Sequence, residues 1–346
     1  MTILKKLSLW LMLGVPFLGV AQDIHFSQFA AAPLQLNPAL AGLNNCDWRV
    51  ALLARTQWNT VSGGNTYSTF GASGDVSVGK ATKFNSYAGV GFMASSDWAG
   101  ALAMNTNRFD ISGAYHFMLD RRGNGSLSVG LQVGINHRGF NPGKMTVDNQ
   151  FNAITGQYDA SLPTRENFAR TNMIYIDAGL GGFYSQNIKS RHNIYLGIAA
   201  NHVNQPNISW YSSGIFNTKG NERLYLKLTI HGGGLVSLND KSSILPNFLI
   251  LVQGPSKQYN VGLSWRYKVG NSISQLFFHL GAQYRVLDAV ILMARVDYKA
   301  VSVGFSYDIN ASKLTTASAS FGGPELSLVF QGCMNRKPRP FYCPVM

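Results

Sequence analysis

The residues able to do chemistry are spread thinly along this chain. The seven histidines, His25, His116, His137, His192, His202, His231 and His279, stand singly. A metal site needs His, Cys or carboxylate ligands at short spacings, and no CxxC or His/Cys cluster supplies them. Acyl transfer needs a nucleophile activated by a nearby base, and no G-x-S-x-G elbow is present. Only 16 carboxylates are available to pair with histidine. Glycine pairs such as Gly181-Gly182 fall inside apolar alternation, where close packing explains them better than phosphate binding. The sequence therefore reads as a non-enzyme, with no catalytic residue, no metal site and no cofactor.

The elements that carry these side chains begin with an export signal. Lys5-Lys6 precede an apolar stretch from Leu7 to Val20, and Gly19 and Ala21 supply small residues just before Gln22. That order describes a signal peptide over residues 1–21. Its apolar part, interrupted by Ser8, Gly14 and Pro16, is shorter than the ~20 residues of a helical span. Charged residues make up 13% of the chain, against ~25% in soluble domains, while glycine numbers 36 and aromatics reach 12%. The net charge is +13, of which Lys5 and Lys6 contribute two. A basic excess suits nucleic acid, anionic lipid or an acidic partner. Export and the lack of an RNA-binding motif argue against nucleic acid.

From Trp48 onward the apolar residues recur with period two. Leu127, Val129, Leu131, Val133 and Ile135 alternate with Ser128, Gly130, Gln132, Gly134 and Asn136. The same holds for Tyr259, Val261, Leu263 and Trp265 against Asn260, Gly262, Ser264 and Arg266. Only strands place such sets on opposite faces. Runs of 11–15 residues exceed the ~5–6 of globular strands and match a tilted membrane wall. Trp48, Trp58, Trp98, Trp210, Tyr211, Trp265 and Tyr267 gather near strand ends, as interfacial girdles do. The fold expected is all-β, a transmembrane antiparallel up-and-down β-barrel of about 14 strands in the outer membrane, contacting its lipids. The strands are expected near 47–60, 65–78, 86–96, 102–117, 126–139, 171–185, 192–204, 222–237, 243–252, 257–268, 274–286, 289–298, 300–309 and 324–331. The barrel occupies 46–332, an N-terminal extended segment 22–45 forms a plug or packs under the barrel at the periplasmic rim, and residues 333–346 form a periplasmic tail.

An even strand count returns both barrel ends to the periplasm. If the first strand runs outward, the long connections 140–170 and 205–221 lie outside and the short turns inside, as outer-membrane barrels require. Arg121, Arg122, Lys189, Arg191 and Lys241 then form a basic periplasmic face, which suits inner-leaflet headgroups or a docked partner. His116, His231 and His279 are expected in the lumen beside Arg223, Lys227, Arg266 and Arg285. Asp110, Asp177, Asp297 and Asp308 would pair with them in a polar filling. Cys46 precedes the first strand and Cys333 follows the last, and barrel closure makes those strands neighbours. A Cys46–Cys333 bond is expected, with Cys333–Cys343 as its competitor. The C-terminal Cys343-Pro344-Val345-Met346 matches a prenylation box by coincidence, since the chain is exported.

The segment after the signal carries specific words: Gln22-Asp23-Ile24-His25-Phe26-Ser27-Gln28-Phe29, then Ala31-Ala32-Pro33-Leu34-Gln35-Leu36-Asn37-Pro38-Ala39-Leu40-Ala41-Gly42. Asn201-His202-Val203-Asn204-Gln205-Pro206, Ile244-Leu245-Pro246, Phe305-Ser306-Tyr307-Asp308-Ile309-Asn310 and Glu325-Leu326-Ser327-Leu328 follow in order. Together these resemble the PorP/SprF family of type IX secretion system outer-membrane proteins over nearly the whole mature chain. Asn247 and Gly322-Gly323-Pro324 depart from its usual pattern. The resemblance implies a role in secretion, surface attachment or gliding movement of large adhesins. It implies as partners a secreted adhesin or its C-terminal domain, together with periplasmic type IX components. Phe26, Ser27, Gln28, Phe29, Asn37, Pro38, Ala39 and Gly42 are the expected plug residues. The alternative function is a passive porin or a channel for small hydrophobic solutes, which an open barrel of this size could serve.

Overall fold

The computed structural model describes residues 23–57, 67–79, 86–120, 124–152, 154–159, 161–188, 192–211, 222–270, 275–312, 315 and 320–333. Period-two patterning becomes strand throughout: β1 (Trp48–Gln57), β2 (Tyr67–Val78), β3 (Ser86–Ala99), β4 (Met104–Met118) and β5 (Gly125–Gly139). A two-stranded hairpin, β6 (Phe151–Asn152) with β7 (Gln157–Tyr158), interrupts the sequence. The wall resumes with β8 (Asn172–Ile188), β9 (His192–Asn201), β10 (Lys227–Ser237), β11 (Ser242–Gln253) and β12 (Ser256–Val269). It ends with β13 (Leu276–Arg285), β14 (Ala289–Tyr298), β15 (Val301–Asn310) and β16 (Phe321–Gly332).

Fourteen of these strands, all but β6 and β7, form one closed antiparallel barrel. Each pairs with its sequence neighbour, and β1 closes on β16 from Trp48↔Gly332 to Arg55↔Glu325. Pro324 has no N–H to give, so that seam begins one residue later, at Glu325. The faces sort as the alternation requires. Leu131 is 68% exposed on the outer wall while its neighbour Gln132 is 5% exposed inside. Trp48, Trp98, Trp265 and Tyr211 are exposed; Trp58 lies outside the described residues.

The two longest connections fall at the same end. The end carrying residues 140–171 and 202–226 is the loop end, and by the outer-membrane rule it faces outward. Phe140 packs edge-on against Phe168 and Trp210, which joins the two long loops into one platform. The opposite, periplasmic end holds short turns such as 238–241.

Strand β10 starts at Lys227, five residues later than the alternation over 222–237 suggests. Leu224 and Leu226 instead belong to the long loop, where Arg223 bridges to Asn207. Arg223 is therefore exposed and does not line the lumen.

Cys46 and Cys333 are bonded at the turn end, with Cα atoms 4.5 Å apart, across the β1–β16 seam. Closing so long a loop constrains the unfolded chain. Replacing both cysteines by serine is expected to lower stability by about 2–4 kcal/mol. Denaturant unfolding with and without reductant checks this, and an unchanged midpoint would show that the seam does not depend on the bond.

Candidate functional site: a plugged lumen

The segment before β1 fills the barrel. It is not extended, as the sequence suggested, but built from short helical turns at Phe29–Ala31, Pro33–Leu36 and Pro38–Leu40. Pro33 and Pro38 each open a turn, where a missing N–H costs nothing. Asn37 caps the last turn by accepting the Ala39 N–H at 2.9 Å. Its amide donates to the Gly182 carbonyl at 3.0 Å and meets His231 Nε2 at 3.2 Å. Phe26, Ser27, Gln28, Phe29, Asn37, Pro38, Ala39 and Gly42 are all buried.

Apolar contacts hold the middle of the plug. Phe29, Leu36, Ala39, Leu40 and Leu43 pack with Phe183, Tyr195 and Leu249 of the wall. Leu34 and Ala41 pack with Met93 and Ala114. The sequence reading placed a polar network in the lumen; the wall also turns a greasy patch inward where the plug is greasy. Close approaches of plug to wall need glycine. A Cβ on Gly89 would collide with the Ala41 carbonyl, beside Gly42 at φ +72°. One on Gly181 would collide with the Asn37 side chain.

Charged groups fasten the outer part of the plug. Glu325 accepts the backbone N–H groups of Ser27 and Gln28 at 2.8 and 2.7 Å. Asp308 accepts the Ser27 hydroxyl at 2.8 Å and pairs with Arg55 at 2.7 Å and Arg285 at 3.2 Å. Higher still, Asp23 reaches His202 at 2.6 Å, Arg108 at 3.4 Å and Lys227 at 3.5 Å. His202 meets Asp177 through its other ring nitrogen at 2.8 Å. At the turn end the plug is held differently. Arg49 pairs with Asp75 at 2.9 Å and donates to the Leu40 carbonyl at 3.2 Å, while Asp75 accepts the Gly42 N–H.

The outer anchor is pH-sensitive by construction. Both nitrogens of His202 face carboxylates, and both can donate only in the imidazolium form. Burial works against that charge, but Asp23 and Asp177 outweigh it and hold His202 above its ordinary 6.5. Burial likewise opposes the Asp23 carboxylate, yet Lys227, His202 and Arg108 bring it well below 3.8. The His202 contribution is complete below 6.5 and fades as pH rises through its raised value. The Asp23 contribution is complete above 3.8 and fades only in stronger acid. Protease nicking or amide exchange around Ser27 should therefore be slowest between about pH 4 and 6.5 and quicken toward pH 9. His202→Gln should flatten the alkaline limb; an unaltered limb would remove His202 from the anchor.

Of the other expected lumen groups, His116 lies between Ser128 Oγ at 2.7 Å and the Ala41 carbonyl at 2.8 Å. His279 pairs with Asp297 at 2.8 Å. Arg266 stacks on an aromatic face, 3.9 Å from the centre of Phe277, with no carboxylate in ion-pair contact among the described residues. Lys241 is exposed in the turn 238–241. Arg121, Arg122, Lys189 and Arg191 lie outside the described residues, as do the signal segment and the tail beyond Cys333. Asp23 of the plug, and its wall-side fasteners Arg49, Arg55, Asp75 and Glu325, were not singled out by sequence for these contacts. The one available signal was a charge in the inward phase of an otherwise neutral strand, as Arg49 and Arg55 are on β1. Among the described residues, no group of three or more His, Cys, Asp or Glu is arranged to hold a metal.

Solved structures with this architecture are outer-membrane barrels. The CymD monoaromatic hydrocarbon channel aligns with TM-score 0.50 and 12% identity, over 92% of this chain and 96% of that one. The Pseudomonas putida toluene transporter TodX gives 0.47 and 10%, over 90% and 94%. A Pseudomonas aeruginosa FadL homologue gives 0.46 and 9%, over 85% and 92%. At such identities the likeness concerns the fold alone. A comparison with curated proteins finds no match. Residues 19–330 match the family described as type IX secretion system membrane protein PorP/SprF, and the chain, an outer-membrane β-barrel, belongs to that family.

Proposed function

We propose that this protein is a closed outer-membrane anchor of the type IX machinery rather than a solute pore. Its loop platform holds an exported surface adhesin by the adhesin's C-terminal domain. Its periplasmic end connects that complex to secretion or gliding components. The observation that carries this reading is the plug: residues 23–44 fill the lumen, with Asp23 paired to His202 at the loop end and the Leu40 carbonyl and Gly42 N–H held by the buried Arg49–Asp75 pair at the turn end. A barrel so filled is suited to bearing load between two partners. The outer hairpin supports the same reading, since Phe151, Ile154 and Tyr158 are exposed there, in the long connection between β5 and β8.

Shortening the hairpin, by replacing residues 148–159 with a Gly-Ser linker, tests the proposal in cells. The barrel should still insert, while surface adhesin falls severalfold and the protein no longer co-purifies with it. Unchanged surface adhesin, or open-channel current from the full-length protein in a planar bilayer, would favour the porin reading instead.

A further inference from the structure

The space left between plug and wall is unevenly placed. A half-enclosed cavity of about 470 Å³ lies at the turn end, between residues 30–46 and strands β12–β16. Its volume falls in the ~300–1,000 Å³ range of ligand pockets. Four cations line it, Arg49, Arg266, Arg295 and Lys299, against one carboxylate, Asp297, among the described residues. Arg49 is satisfied by Asp75 at 2.9 Å. Asp297 is shared between Arg295 at 2.9 Å and His279 at 2.8 Å. Arg266 has no carboxylate within ion-pair reach among the described residues, and its buried Nε lacks a hydrogen-bond partner. Lys299 is exposed at the rim. The opposite side of the cavity is apolar, formed by Ala30, Ala31, Pro33 and Leu43 of the plug.

We infer that this vestibule binds an acidic, partly apolar peptide segment that enters from the periplasm. This rests on the proposed role of the turn end in docking secretion machinery, and it gives the docked segment a chemistry. Carboxylates would take the free donors of Arg266 and Lys299 in charge-assisted bonds, strengthened by the low-dielectric wall. Apolar side chains between the acids would lie on the plug. The chain's own tail starts beside the cavity, after Cys333, but it carries Arg336, Lys337 and Arg339 and no Asp or Glu. It would add like charge where charge of the opposite sign is needed. Membrane lipid is kept away by the wall itself, because the cavity lies inside the ring.

The test uses the full-length protein in detergent and a peptide labelled at its N-terminal amine, fluorescein-Gly-Leu-Glu-Glu-Leu-Glu amide, followed by fluorescence anisotropy. Saturable binding is expected, weakening with salt as screened charges do. The same peptide with Gln for Glu should bind at least tenfold more weakly. Arg266→Gln and Lys299→Gln should each reduce affinity severalfold, whereas Lys257→Gln at the opposite end should not. Lys299 is exposed, so its variant reports on binding even where Arg266→Gln disturbs folding. Equal affinity for the Gln peptide, or no loss in the double variant, would overturn the inference. Binding that appears only after residues 334–346 are removed would assign the cavity to the tail and overturn it too. Surface adhesin is measured separately in cells; its retention alongside failed peptide binding would refute the vestibule and leave the anchor reading intact.

Discussion

A variant lacking residues 23–42 is expected to pass ions through a planar bilayer in discrete open steps, where the full-length protein is silent. The wall is a complete hydrogen-bonded ring that does not depend on the plug for closure. Taking the segment out therefore empties the lumen without opening a strand edge. Water then hydrates the inward Arg55, Arg285, Asp308 and Glu325, which the plug now covers. Insertion should also become less efficient, because Phe183, Tyr195 and Leu249 lose their apolar partners and face that water. Bilayer recordings on refolded material measure the first effect, and heat-modifiable migration on gels measures the second. A deletion variant that inserts normally and stays silent would show that the lumen closes by other means.

Asp308→Ala should be the most damaging single substitution in the outer anchor, costing about 3–5 kcal/mol. The carboxylate is 2% exposed and answers three donors at once, from Ser27, Arg55 and Arg285. Removing it leaves the Arg55 guanidinium with Glu325 at 3.8 Å, itself already engaged by the Ser27 and Gln28 amides, and Arg285 with the exposed Asp288 at 3.1 Å. The penalty comes from the charges left behind, so adding Arg55→Leu to Asp308→Ala should recover part of the loss. Equilibrium unfolding in detergent provides the numbers. A cost below about 1 kcal/mol would mean that water replaces the carboxylate and that the network is not what fixes the plug.

The wall was legible in the sequence because lipid imposes a strict rule on it. Leu127 through Ile135 must point outward every second residue, and that pattern survives in one dimension. Strand ends are less well determined. Leu224-Tyr225-Leu226 alternate as faithfully as Leu228 to Ile230, yet they lie in the long loop, where alternation carries no penalty. The plug words stood out, but their shape did not, since turns begun by Pro33 and Pro38 have no period to read. The pairing of Asp23 with His202, or of Glu325 with Ser27, depends on which strands stand side by side and at what height. Those facts emerge only once the register is set. The same applies to the sulfurs, where the sequence left two pairings open and the seam brings Cys46 beside Cys333.

One consequence concerns the order in which the molecule is made. Asp23 sits at the loop end, among Lys227, His202 and Gln253, while Cys46 sits at the turn end. The leading residues are thus threaded lengthwise through a hoop that the same polypeptide later ties shut. Phe26 and Phe29 could not be pulled into a finished hoop past such close-fitting walls. Threading therefore goes with zipping of the β1–β16 seam, which also brings the two sulfurs together. Any folded passenger spliced ahead of Asp23 must then be carried to the cell exterior or hold the hoop open.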